Sequence, residues 1–455
     1  MAQIDISSAT VQQLEDQLNS SNSSTRQIAL AELASRVKSG QIKLPDTKNE
    51  VNLHFHTFFS YNAYGWSPSR VAWEAKKYGL AAAGIVDFDV LDGMEEFLEA
   101  GKIIGLRSTA ALETRVFVSE ISNDVISSPN EPGIAYFMGA GFYKMPDAGT
   151  RAADILQLMR DMSRRRNIQL VDLVNAYLND VHLDYDADVL PLTPSGNATE
   201  RHILAAYDAK SRQVFRDEST LTDFWSKALE LSKDEASALI SDIPKFHDKM
   251  RAKLMKYGGV GYVAPNADTF PPIELTIEMM QAMGALPMIT WLDGTNPGEA
   301  DPEAFLNTLV KKGSVALNII PDRNWNIKDP VDKQIKTQNL DKIIRAARKL
   351  DLPLCVGTEM NKAGLPFVDN FDAVELQPYI ADFIEGAYFL WGHTFLACNA
   401  NLGYMSKWAD EHFGSDRARK NEFYAEVGRL AEPSNQANKI TNSMSPDDVL
   451  KAIES

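Results

Sequence analysis

The chain has 455 residues, 44% of them hydrophobic, two cysteines and a formal net charge of −16. Such values describe a globular protein with an ample core, sized for two domains or one large barrel with an insertion, and they exclude a disulfide framework. They also argue against tight nonspecific binding to nucleic acid, which needs a basic surface to displace counterions.

No stretch reads as a membrane span. The opening residues Met-Ala-Gln-Ile-Asp-Ile-Ser lack the basic and apolar regions of a signal peptide, and with only two cysteines, Cys355 and Cys398, a reducing, cytoplasmic location is expected. An acidic surface remains compatible with a phosphorylated small-molecule substrate, because a bound metal supplies local positive charge.

In chain order, residues 8–38 read as helix broken by the Asn/Ser run at 19–24, and Pro45–Asn49 reads as a linker. Val51–His56 is expected as a strand, Ser67–Tyr78 as a helix with an N-cap serine and proline at its first position, and Leu80–Val86 as a strand. Asp92–Ile103 reads as helix and Ser108–Val118 as strand. From about 144 to 262 only helical periodicity is found, in Arg151–Asn179, Ala198–Arg212, Ser219–Leu231 and Lys233–Tyr257. Alternation then resumes: helix Ile273–Met283, strand Leu286–Trp291, helix Pro302–Lys312, strand Val315–Ile319, helix Leu340–Leu350, strand Leu354–Thr358 and helix Pro378–Asn399. Such alternation on both sides of a helical block points to a parallel α/β barrel carrying an insertion, with its site at the strand C-termini.

Chemistry-bearing residues stand at those ends. His54 and His56, two of only seven histidines, sit two apart in the first strand, so both rings leave on one face. The later strands end near Asp87-Phe88-Asp89, Glu113, Trp291-Leu292-Asp293, Asn318 or Asp322, and Glu359-Met360-Asn361. Imidazoles and carboxylates converging from several strands can hold a hydrolytic metal and leave positions open for water and substrate. Taken singly, each acid is more simply read as a cap or a solvated loop residue.

His54-Phe55-His56-Thr57, Ser67-Pro68, Gly79-Leu80, Gly84-Ile85-Val86-Asp87-Phe88-Asp89 and Ala111-Leu112-Glu113 together resemble the PHP (polymerase and histidinol phosphatase) domain. Thr358-Glu359-Met360-Asn361 aligns with that family's late serine-aspartate-x-histidine. The resemblance runs over 50–120 and more loosely over 265–375. It implies a PHP-like distorted (β/α)7 barrel interrupted by a mostly helical insertion. The expected organisation is a helical segment and linker at 1–48, barrel at 49–143, insertion at 144–262, and barrel with C-terminal helices at 263–455. It also implies metal ligands at His54, His56, Glu113 and Glu359, with manganese, zinc or iron as the ion. Phe88, Asn361 and the strand ending at Trp291 stand where the family carries histidines, which points to fewer ions or to a harder one.

A second candidate is Thr193-Pro194-Ser195-Gly196-Asn197-Ala198-Thr199-Glu200-Arg201-His202, where small polar residues lead into a helix. Ser195, Gly196, Asn197 and Arg201 are expected to receive an anion, with Trp291 as a further substrate contact. Asp87, Arg201 and His202 are the expected catalytic side chains. The plainer alternative is a capped helix start with Asn197 or Thr199 as N-cap. The leading expectation is a metal-dependent phosphoesterase. The alternatives are a barrel that has lost turnover and binds a ligand, and a hydrolase of an amide or a carbohydrate derivative. Substrate and oligomeric state are not readable.

Overall fold

Short apolar runs bounded by helices favour strands buried on both faces, and the computed structural model has that arrangement. The structure describes residues 8–266, 269–434 and 440–455, so the opening residues read above for a leader lie outside it. Seven strands form one sheet in sequence order: β1 Val51–Phe55, β2 Ala82–Phe88, β3 Arg107–Phe117, β4 Ile134–Ala140, β5 Leu286–Trp291, β6 Ala316–Ile319 and β7 Leu354–Val356.

The sheet curls until its two edges meet. Past the end of β7, the Glu359 N–H donates to His54 O at 2.8 Å, and the His56 N–H donates to Glu359 O at 2.9 Å. The protein is therefore an α/β barrel, nearly closed, with a helical insertion. One strand departs from the expected parallel order. β4, which sequence periodicity does not reveal, runs antiparallel to both β3 and β5. Only a loop with one short 3-10 turn, Ser119–Ile121, separates it from β3, so the chain folds back without a crossover helix, as an antiparallel neighbour allows.

Helices α1 Val11–Gln17 and α2 Ser23–Lys38 precede the barrel, and α3 Pro68–Tyr78 and α4 Met94–Ile104 pack outside its first strands. Ser67 caps α3 through its side chain, with proline at the helix start, as the sequence indicates. The insertion holds α5 Arg151–Leu178, α6 Glu200–Val214, α7 Glu218–Leu229, α8 Lys233–Ser241 and α9 Ile243–Leu254. The single helix expected over 233–257 is two, because Asp242 caps a new start that has proline in its first turn.

α5 joins two cores. Its first half (Ile155, Leu156, Met159) packs in the barrel core, and its second half (Val171, Val174, Leu178) packs with Ile203, Trp225 and Phe246 in the insertion's own core. Around the second half of the barrel lie α10 Ile273–Ala282, α11 Pro302–Lys311, α12 Asp322–Trp325 and α13 Pro330–Lys349. They are followed by α14 Ile380–Ala400, α15 Lys407–Phe413, α16 Arg417–Leu430 and α17 Pro446–Glu454. α14 is buried nearly all round and lies so close to the start of β7 that a Cβ at Gly386 would meet Leu354 O at 1.8 Å. It covers the end of the barrel opposite His54, leaving the other end for chemistry. Among the described residues no helix is long and apolar enough to cross a membrane.

Candidate metal centre

Alternation along the strands puts His54 and His56 on the inner face at the end of β1, and Glu113 and Arg115 on the inner face of β3. They line a cavity of about 490 Å³ between the barrel mouth and the insertion. His54, His56 and Glu113 are all buried, and their ligand atoms lie within 4.8 Å of one another. Each Nε2 faces the same Glu113 oxygen, at 3.9 Å from His54 and 3.6 Å from His56. Two ligands of one tetrahedral ion stand roughly 3.3–3.5 Å apart, so each imidazole needs to approach the Glu113 oxygen by only a fraction of an ångström.

Hydrogen bonding fixes how the rings present themselves. His54 Nδ1 faces Asn318 Oδ1 at 3.4 Å, and a carboxamide oxygen only accepts. His56 Nδ1 lies 3.0 Å from Ser60 Oγ, and that hydroxyl donates to Asp87 Oδ1 at 2.6 Å. The His56 ring therefore carries its proton on Nδ1, and both rings turn Nε2 into the cavity. Those two Nε2 atoms are buried and have no hydrogen-bond partner. A buried acceptor without a partner is costly, and a cation satisfies both at once. The donor set fits a divalent metal.

The electrostatics agree. Burial pushes the Glu113 carboxyl well above the usual range, reinforced by Glu359. Burial holds the His54 imidazole below its ordinary value, and burial together with His54 pushes His56 down to about 3. Burial alone would raise Glu359, but Arg323 and the two histidines more than offset it and hold that carboxyl low.

Glu359 is not in the set of converging ligand atoms. Its Oε1 accepts from Arg323 Nη2 at 2.8 Å and its Oε2 from Asn361 Nδ2 at 3.1 Å, with its backbone held at φ 71°. Asp87 does not line the cavity. It lies behind β1 and accepts from Thr57 N–H, Thr57 Oγ1 and Ser60 Oγ, and burial lifts it to about 6. His202 turns its Nδ1 back to the Thr199 N–H at 3.1 Å and closes the start of α6, so the capping alternative describes it.

Arg201 lines the cavity and is paired with Asp248 of α9 at 3.1 Å. The same carboxylate binds Lys362 from the loop after β7, so Asp248 ties insertion to barrel. Asn197 lines the cavity while its amide donates to Phe88 O, whereas Ser195 donates to Asp92 and Gly196 lies outside. Trp291 is fully buried and faces away from the cavity, beside Gly294 and Asn339. Its strand neighbours Thr290 and Leu292 face inward instead.

Several contributors were not singled out from sequence. Arg115 carried a signal, since it stands two residues after Glu113 on the same strand face. Ser60 and Arg323 carried a weaker one, being close in sequence to His56 and Asp322. Arg251 and Lys256 carried none, because only the packing of the insertion brings them to the cavity.

No protein-family model and no curated protein sequence matches this chain. Among solved structures it is similar to an amidohydrolase from Chromobacterium violaceum, with bound sulfate and no metal. That match has 15% identity and a TM-score of 0.47, and covers 73% of this chain and 96% of that one. It is also similar to a protein from Bifidobacterium adolescentis assigned by inference as a metal-dependent phosphoesterase. There the identity is 16% and the TM-score 0.46, over 75% of this chain and 98% of the other.

Proposed function

We propose that this chain is a metal-dependent hydrolase of small phosphate monoesters, built on a PHP-like barrel and working with one divalent ion held by His54, His56 and Glu113. The observation that carries the reading is the pair of buried, partnerless Nε2 atoms aimed at one carboxylate. When bound, a divalent ion supplies Lewis acidity for water and for an ester oxygen.

The chain's own residues support an anionic substrate. In a protein of net charge −16, the cavity is lined by six cations, Arg115, Arg201, Arg251, Lys256, Arg323 and Lys362, against five carboxylates. Arg323 holds Glu359 by one edge while its side chain stays open to the cavity, so its other N–H groups are free to grip phosphate oxygens. Asp87 and Ser60 act as positioning residues that set the His56 ring. The insertion roofs part of the site and supplies Arg201, Arg251 and Lys256 to its lining.

The test is a turnover assay with 4-nitrophenyl phosphate and a panel of small phosphomonoesters, amides and glycosides, run with manganese, zinc and iron. Ion-dependent release of phosphate, abolished in His54→Ala, is expected. Inert phosphomonoesters beside a hydrolysed amide or glycoside would move the reading to another bond.

A further inference from the structure

The cavity has a second positive pole. Arg115 stands two residues beyond Glu113 on β3, about 7 Å along the strand. Arg251 from α9 and Lys256 just after α9 line the cavity beside it, and Arg166 from α5 lines a small adjoining recess that shares Arg115 and Lys256 with the cavity.

Arg115 and Arg166 both lie over the Phe270 ring, at 4.4 and 4.7 Å from its centroid, but the carboxylates around the four cations are few. Arg115 meets Glu131 at 3.2 Å, while Arg251 and Lys256 share the single carboxylate of Glu200 at 2.7 and 3.0 Å. Arg166 makes no ion pair among the described residues, and gives its N–H groups to Thr269 O and Ser163 Oγ. Asp89 is also close, with one oxygen already taken by the Thr114 hydroxyl. Four cations thus face three carboxylates in a largely enclosed place. Burial, with Arg115 beside it, pushes Arg166 down to about 10, and burial pushes Lys256 down to about 8. A seam that only fastened the insertion to the barrel would be expected to balance its charges, since surplus buried charge is costly.

We propose that Arg115, Arg166, Arg251 and Lys256 form an oxyanion-binding subsite, so that the substrate carries a second anionic group, carboxylate or phosphate, about 7 Å from the ester at the His54–His56–Glu113 pole. This rests on the phosphomonoesterase reading above for what happens at the first pole. The insertion then selects the substrate as well as covering it. Guanidinium forks suit either oxyanion, and Lys256 adds a point charge.

The experiment is isothermal titration calorimetry on the full chain after EDTA treatment, with butyl phosphate, 4-(phosphonooxy)butanoate and propane-1,3-diyl bisphosphate as probes, the last two being long enough when extended to reach from one pole to the other. One or both doubly anionic probes should bind at least tenfold tighter than butyl phosphate, and which one does so separates carboxylate from phosphate. In Lys256→Met and Arg251→Gln that ratio should fall below about threefold. Because the ratio is taken within each variant, a general loss of affinity cancels. Arg251→Lys, with circular dichroism to establish folding, should restore part of it. Equal affinity for all three probes in the wild type, or an undiminished ratio in both variants, overturns the subsite. Turnover of the same compounds with manganese is read separately. Preferential binding without turnover defeats the hydrolase reading and leaves the subsite standing, whereas turnover without preference does the reverse.

Discussion

Ser60 Oγ lies 3.0 Å from His56 Nδ1 and 2.6 Å from Asp87 Oδ1, and so joins a buried carboxylate on β2 to the imidazole just past β1. The hydroxyl donates to the carboxylate and accepts from the ring, and this order of donors frees the His56 Nε2 lone pair for an ion.

Ser60→Ala removes that acceptor without touching a metal ligand. The His56 ring is then free to rotate or to take the other tautomer, and metal affinity should fall by about 10–100-fold. A competition titration against a chromogenic chelator reads this directly. An unchanged dissociation constant would mean that the ring is set by packing alone.

Gly357 is where β7 presses on β1. A Cβ there would stand 2.3 Å from His54 Cβ, 2.6 Å from His54 N and 2.5 Å from Asn52 Oδ1. Two of those atoms belong to the His54 backbone and its first side-chain carbon and cannot swing aside. Gly357→Ala should therefore cost about 1–3 kcal/mol in urea unfolding and displace His54 with loss of metal. Full stability with full metal content would show that the barrel closure yields more easily than its contacts imply.

His393 gives a pH signature away from the site. Its Nδ1 accepts from the Tyr404 N–H at 2.9 Å and its Nε2 faces Gly141 O at 3.0 Å, so the ring is neutral. Burial holds its folded-state pKa at about 4, below the ordinary 6.5. As the pH falls the unfolded chain takes up this proton first, so the stability is whole above pH 6.5 and drains away as the pH falls toward 4. Between pH 7 and pH 4.5 the ring should account for a loss of about 2–3 kcal/mol. His202, pushed down to about 4 by burial, adds a change of the same sign. Urea midpoints at the two pH values should differ less in His393→Gln than in the wild type. An equal difference would assign the acid sensitivity elsewhere.

What the sequence revealed follows the physics of its periods. His54 and His56 were legible because a strand repeats every two residues, and the start of α3 was legible because Ser67-Pro68 is a cap and a first-turn proline. β4 was not, since Ile134–Ala140 follows a loop rather than a helix and pairs antiparallel. The first half of α13 was missed because its apolar side chains, Val331 and Ile335, are exposed and give no buried stripe. The resemblance places Glu359 as a ligand, in the position of the family's late aspartate. Its use by Arg323 depends on α12, which brings that guanidinium across from the neighbouring strand. The converging cations of the insertion come from α5, α9 and the turn beyond, and no linear pattern marks a meeting made only by folding.

The central claim is that His54, His56 and Glu113 hold an ion. Inductively coupled plasma mass spectrometry should be run on the full chain, purified without an affinity tag or chelator, beside the His54→Ala/His56→Ala double variant. The account predicts one equivalent of manganese, zinc or iron in the wild type and none in the variant. A wild-type protein that stays metal-free after incubation with those ions, or a variant that retains the full equivalent, would contradict it.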